Sequence, residues 1–188
     1  MKKLFAIISM GLLMLTAQPA FSGQSKVDKA RAEIRSSSQQ ILAHLYKVQP
    51  NARKAIDASA GYATFSNFGM KIFFAGGGSG SGIAIDRKTQ REVFMKMVEV
   101  QAGLGLGIKK FKLVFVFDNE KALNAFINSG WEAGAQATIA ATDGRQGIAY
   151  QGALAISPGV WLYQLTDEGL AAELTVKGTK YYKNDELN

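Results

Sequence analysis

The chain has 188 residues, with 22 Lys+Arg against 15 Asp+Glu, one His, no Cys and 20 Gly. The missing Cys excludes disulfide scaffolds, thiolate metal sites and cysteine nucleophiles, and the single His excludes a multi-histidine metal centre. At 47 % apolar and 20 % charged residues the chain can build a folded core, and its glycine content exceeds the usual share of about 7 %.

Lys2 and Lys3, an apolar run from Leu4 to Leu15, Pro19, and the small residues Ala20 and Ser22 form the charge, apolar core and small-residue pattern of a secretory signal peptide. A bilayer span needs about 20 apolar residues, so this run is too short to be one. The expectation is a signal peptide over residues 1–22, cleaved after Ser22, and a single domain over 23–188. Loss of Lys2 and Lys3 lowers the formal charge from +7 to +5, and the product is periplasmic or secreted.

Val27, Ala30, Ile34, Ile41, Leu45 and Val48 recur at helical spacing, which predicts an amphipathic helix over 24–48 ended by Pro50. A short helix over 51–58 follows, with Asn51 as its cap, and then a strand at Gly61–Phe65. Ile72–Ile85 reads as one extended stretch. Asp86–Arg91 reads as a hairpin tip, and Phe94–Ile108 as one long bent strand on its two-residue alternation. Phe111–Phe117 is another strand, with Phe111, Leu113, Phe115 and Phe117 on one face. Asp118 or Asn119 caps a short helix through Asn128. Strands are expected near 131–141, 147–156, 160–165 and 170–182, joined by turns at Thr142–Gln146 and Ser157–Gly159. The resulting fold class is α+β: a large curved, mostly antiparallel sheet, barrel-like in its curvature, with an N-terminal amphipathic helix and one short inserted helix.

Gly76, Gly78, Gly80 and Gly82 share one strand face, and Gly103, Gly105 and Gly107 share another. Each run is a bare stripe that admits close approach, either by a helix seated on the sheet or by a ligand. Neither G-x-G-x-x-G nor G-x-x-x-x-G-K-[S/T] occurs, which argues against a nucleotide site. A G-x-S-x-G elbow is absent too, because Gly78 and Gly82 bracket Gly80. His44, beside the apolar stripe of the first helix, reads as a boundary residue. Glu99 reads as a solvated strand position, with a pocket carboxylate as the other reading. Asp167-Glu168 and Asp185-Glu186 read as solvated turn and tail acids. No catalytic set, metal site or cofactor is assigned.

Lys26, Lys29, Arg31 and Arg35 crowd the first helix, Arg87, Lys88 and Arg91 the hairpin tip, and Lys109, Lys110 and Lys112 a strand junction. Basic groups beside apolar ones suit an anionic lipid surface. An ordinary solvated surface is the other reading. Export and the lack of interleaved aromatics argue against nucleic acid.

Ala60-Gly-Tyr-Ala-Thr-Phe65, the run Gly76–Gly82 into Ile83-Ala-Ile85, Gln101-Ala-Gly-Leu-Gly-Leu-Gly107, Val114-Phe-Val-Phe117 with Asn119–Phe126, and Gly134-Ala-Gln-Ala follow one another in an order that resembles the SYLF family of lipid-binding domains. The resemblance spans about residues 27–157. It implies a non-enzymatic domain with anionic or phosphoinositide lipids as ligands, bound through the basic N-terminal segment, which corresponds to residues 26–48. Some eukaryotic members also bind actin. The expected partner is therefore an anionic lipid or membrane surface contacted by Lys26, Lys29, Arg31, Arg35, Arg87, Lys88, Arg91, Lys109 and Lys110, with the two glycine runs structural. Two other readings stand beside it: an envelope structural or protein-interaction module, and an enzyme whose acids meet only in the fold.

Overall fold

The computed structural model describes residues 20–72, 75–102, 107–133, 150–170 and 178–188. The first helix, α1 (Ala20–Val48), starts four residues before the expected boundary, so the anticipated cleavage point at Ser22 lies in its first turn. α2 (Ala52–Ala58) follows. Asn51 precedes it in a helical conformation and makes no side-chain cap, contrary to expectation.

Then come β1 (Gly61–Ile72), β2 (Ala75–Asp86), β3 (Glu92–Ala102) and β4 (Gly107–Phe117). α3 (Glu120–Ser129) is capped by Asn119, whose side chain accepts the Ala122 backbone N–H at 2.9 Å. β5 (Trp131–Ala133), β6 (Leu154–Ser157), β7 (Val160–Leu165) and β8 (Thr179–Lys183) complete the described elements. The expected turn at Thr142–Gln146 lies outside the described residues, as do most of the expected strands at 131–141 and 170–182.

The eight described strands form one sheet in the order β5-β8-β3-β2-β1-β4-β7-β6, with every pairing antiparallel. The expected α+β architecture holds. Three strand expectations need correction. Among the described residues, the strand expected over 147–156 begins only at Leu154, because residues 150–152 form a turn. Ile72–Ile85 is not continuous: the chain reverses, and Ile72 pairs with Ala75. Phe94–Ile108 is two strands, β3 and β4, on opposite sides of the β1–β2 hairpin. Period two persists through both segments because it reports strand character and carries no mark of where a strand turns back. The tip at Asp86–Arg91 is a hairpin as expected, with the Asp86 carboxylate accepting the Lys88 and Thr89 backbone N–H groups at 2.9 and 3.0 Å. These bonds, that from Thr89 foremost, hold the Asp86 carboxyl below its ordinary pKa.

Register assigns the two faces. The inner face carries Phe65, Met95, Met97, Leu113, Phe115, Phe117 and Tyr181, which α3 closes with Leu123, Phe126 and Ile127. The rings of Trp131 on β5 and Phe115 on β4 lie 5.8 Å apart. Five strand spacings separate these strands in the sheet, about 24 Å on a flat one at about 4.8 Å each. The sheet is therefore curled around its aromatic core.

Two of the even-numbered glycines make the curl possible. Gly82 is the register partner of Phe65 and Gly80 that of Met97. A Cβ on Gly82 would lie 2.3 Å from Phe65 Cδ1 and 2.3 Å from the Thr64 carbonyl oxygen, and one on Gly80 would lie 2.4 Å from the Ser66 carbonyl oxygen and 2.8 Å from Met97 Cγ. The bare stripe is thus filled by side chains of neighbouring strands, where a seated helix was one expectation. Among the second run, Gly103 and Gly105 lie outside the described residues, and Gly107 opens β4.

α1 lies on the outer face, across β2, β1 and β4. Ile41 and Leu45 pack with Val114, Val116, Tyr163 and α2, while Val27, Ala30 and Ile34 pack against Ile83, Phe94 and Leu187. Between these clusters Ser38 is buried and accepts the Thr64 hydroxyl hydrogen bond at 2.8 Å. The apolar stripe of α1 is therefore docked inside the domain.

Gly82→Ala must displace an aromatic ring and a backbone carbonyl, and it is expected to cost about 1–3 kcal/mol, read as a Tm lower by several degrees. Gly77→Ala on the outer face meets only ordinary contact, at 3.5 Å from the Glu99 carbonyl oxygen, and should stay within about 0.5 kcal/mol of wild type. Equal melting of the two variants would contradict the face assignment. Leu45→Ala, at a fully buried position, should cost about 2–5 kcal/mol in denaturant unfolding. A cost near zero would mean that α1 is not docked.

Candidate lipid-contacting surface

The predicted cations fall into two groups. Several are tied down within the domain. Arg35 pairs with Glu92 at 2.7 Å, and this hydrogen bond raises its already high pKa. Arg31 donates from Nε to the Leu187 carbonyl at 3.0 Å. Both guanidiniums lie over the Phe94 ring, at 5.8 Å for Arg31 and 5.2 Å for Arg35. These two arginines fasten α1 to β3 and to the C-terminal residues. Arg87 donates to the Asp57 and Ser59 carbonyls, joining the hairpin tip to α2. Lys88 pairs with Glu120 on α3 at 2.9 Å, which raises the lysine pKa.

Lys26, Lys29, Arg91 and Lys110 are exposed, and none of them has a salt bridge among the described residues. The side chain of Lys109 lies outside the described ones. The sequence grouped all these cations by proximity along the chain. Packing separates them by whether a carboxylate or carbonyl from another element reaches them.

Beyond the region covered by α1, the outer face is open and basic among the described residues. One row crosses six strands through the register partners Tyr182, Lys96, Ser81, Ser66, Lys112 and Leu165. In the next row Lys180 pairs with Val98 and Val98 with Ser79, while Ser79 and Lys110 share Phe68 as partner. Apart from Lys180 and Phe68, the residues of these rows line a groove of about 640 Å³. It exists because small residues, Ser66, Ser79 and Ser81, lie between long lysines.

At the rim Lys96 pairs with Glu186 at 3.0 Å and Lys112 with Asp167 at 3.1 Å. The two acid side chains are 79 % and 81 % exposed, so both pairs are weak surface contacts. The Lys112 hydrogen bond, aided by the charges of Lys110 and His44, holds the Asp167 carboxyl below the ordinary aspartate range. Val98 is 38 % exposed, an unusual position for a valine in a central strand.

Lys96, Ser66, Ser79, Ser81 and Tyr182 were not picked out from the sequence. A signal for them was present: Ser79 and Ser81 occupy the odd positions between the even glycines, and so face away from the glycine stripe. His44 is a half-buried boundary residue on α1, as expected. Glu99 is corrected: it is 4 % exposed on the inner face, opposite Gly78 and Thr179. Its neighbour Tyr181 is fully buried, and that burial, followed by the Glu99 charge, drives the phenol pKa well above 10. Among the described residues no cluster of three or more His, Cys, Asp or Glu side chains is placed to hold a metal, and no helix is long and apolar enough to cross a membrane.

Residues 98–188 match the family model described as Ysc84, Las17-binding protein actin regulator. The chain is also similar to Beta cell expansion factor A of Aeromonas veronii, at 29 % identity over 161 residues. The alignment takes in 85 % of this chain and 59 % of the relative, so the chain spans less than two thirds of that protein's length. The family match begins within β3 and runs through β8, and so includes Val98, Lys110, Lys112 and Tyr182, while Lys96, Ser81 and Ser66 lie before it. The SYLF resemblance is thus borne out by the Ysc84 (SYLF) family match over residues 98–188, just under half of the chain, whereas the motifs at residues 60–65 and 76–85 lie before that match.

Proposed function

We propose that this chain is an exported, non-enzymatic SYLF protein that binds anionic lipid surfaces through its outer sheet face and the first turns of α1. The observation that carries the reading is the open outer face, where Lys96, Lys110, Lys112 and Lys180 surround an exposed valine and a floor of serines. Lys26 and Lys29 extend the cationic area along α1. Each Lys or Arg close to an anionic membrane contributes roughly 1 kcal/mol. The apolar stripe of α1 is occupied by the domain itself. Attachment is therefore electrostatic and needs no insertion of the helix. Arg31, Arg35 and Arg87 serve mainly to hold the fold together.

Export rests on the pattern of residues 1–22, and a bacterial envelope supplies the anionic lipid. The description of the matched family names a protein partner and actin. A protein-interaction module of the envelope is the competing reading, and the test separates the two.

Flotation with vesicles of phosphatidylcholine, alone or mixed with phosphatidylglycerol, is expected to recover the protein only on the mixed vesicles. Raising salt from about 0.05 M to about 0.3 M should release it as the Debye length shrinks. Equal recovery on both vesicle types, or recovery indifferent to salt, would overturn the electrostatic reading. Co-purification of a protein partner with no vesicle binding would favour the interaction module. For export, N-terminal sequencing of protein from the periplasmic fraction should begin at Gly23. A chain that retains Met1 and stays in the cytoplasm would contradict it.

A further inference from the structure

We propose that the row Lys96–Ser81–Ser66–Lys112 is a discrete binding site for a phosphomonoester dianion, supplied either by a soluble phosphate or by a lipid headgroup. This deepens the surface reading above by assigning the ligand chemistry to one place. The four residues are consecutive register partners on β3, β2, β1 and β4. Adjacent side chains on such a row stand about 5 Å apart. Two hydroxyls therefore form the centre of the row, with one ammonium beyond each.

Lys110 lines the same groove from the next row. Among the described residues the hydroxyls of Ser66, Ser79 and Ser81 take no protein partner, which leaves their donors for a ligand oxygen. Ammoniums supply point charges with three donors each, and their charge-assisted bonds to phosphate oxygens are stronger than neutral hydrogen bonds.

The charge balance favours a dianion. Three lysines face two acids, Asp167 and Glu186, and both acids are highly exposed and loosely held. A doubly charged phosphate draws Lys96 and Lys112 away from them, and the carboxylates return to water at little cost. A phosphodiester carries a single charge and gains less. Val98 and Tyr182 at the margin provide apolar contact for whatever the phosphate is attached to.

The test is calorimetric titration of the purified protein with sodium phosphate and with glycerol 3-phosphate. Saturable binding is expected. It should weaken about tenfold or more in Lys96→Gln/Lys112→Gln and tighten in Asp167→Asn. Lys121→Gln on α3, at the opposite face, should leave it unchanged. Amide NMR shifts of the unmodified protein provide a measure that needs no variant, with Ser66 and Ser81 expected to move on phosphate addition.

Absence of saturable binding by the wild type would overturn the site. So would an equal loss in Lys121→Gln, or phosphate-induced shifts that avoid β1 and β2. Vesicles of phosphatidylcholine with phosphatidic acid, compared with phosphatidylglycerol at matched charge, identify the source. Preference for phosphatidic acid, competed by glycerol 3-phosphate, assigns a lipid headgroup. Soluble binding without that preference supports the site with a free phosphomonoester as its ligand. Vesicle recovery without soluble phosphate binding overturns the groove and leaves the surface reading intact. Soluble binding without any vesicle recovery does the reverse.

Discussion

The ring of Phe65 fills the space that a side chain on Gly82 would need, and the rest of the architecture depends on that exchange. Backbone hydrogen bonds set the strand spacing whatever the side chains, so a Cβ on β2 would occupy the inner-face space above its own strand. Removing the Cβ at Gly80 and Gly82 lets Met97 and Phe65 lean across β2 instead. The sheet can then curl until rings from distant strands meet. Phe65 and Tyr181, three strand spacings apart in the sheet, have centroids only 4.9 Å apart. Glycine in a strand loses backbone entropy and packing area. Here the neighbouring aromatic and thioether side chains restore the packing.

Closing the inner face decides what the outer face is for. α3 and the aromatic cluster occupy the inside, which leaves the other side as the face for the proposed ligand. There α1 covers the apolar rows and stops short of the polar ones. The division follows residue type. Ile83, Thr64 and Val114 lie under the helix, and one row further along the strands Ser81, Ser66 and Lys112 lie in the open groove. Arg31 and Arg35 hold the helix in place by bonds to Glu92, Leu187 and the face of Phe94. The cations left to act on a partner are mostly lysines on strands. As compact, flexible point charges they suit a fluid headgroup layer or a tetrahedral anion better than a planar, fork-like partner.

Much of the fold was legible because it depends on local pattern. The stripe of α1, the Asn119 cap, the hairpin tip at Asp86 and the alternation around Phe115 are all short-range signals, and each appears in the structure where expected. What escaped depends on chain reversal and on pairing between distant segments. Alternation across Ile72–Ile85 and across Phe94–Ile108 is the same whether the chain runs on or turns back. Glu99 looked solvated beside small and polar neighbours, and its burial comes from its place on the inner face of the curled sheet, with Thr179 of β8 paired beside it. The site was half legible. Lys110 and Lys112 were found as a charge run. Lys96 and the serines became part of it only once the register set them in one row, four strands drawn from residues 61–117. Arg31 and Arg35 were indistinguishable in sequence from Lys26 and Lys29, because their partners come from β3 and the C-terminal residues.

The central claim is that the glycine-bearing inner face is structural and the lysine–serine outer face is the one that meets ligand. Val98 and Met97 are chain neighbours on opposite faces of β3, one exposed and the other buried, and their methyl groups report the two faces separately. Methyl NMR of the protein with nanodiscs containing phosphatidylglycerol tests the claim most directly. The account predicts shifted or broadened Val98 methyl resonances, with those of Met97 and Met95 unchanged. Perturbed Met97 and Met95 resonances beside an undisturbed Val98 would contradict it.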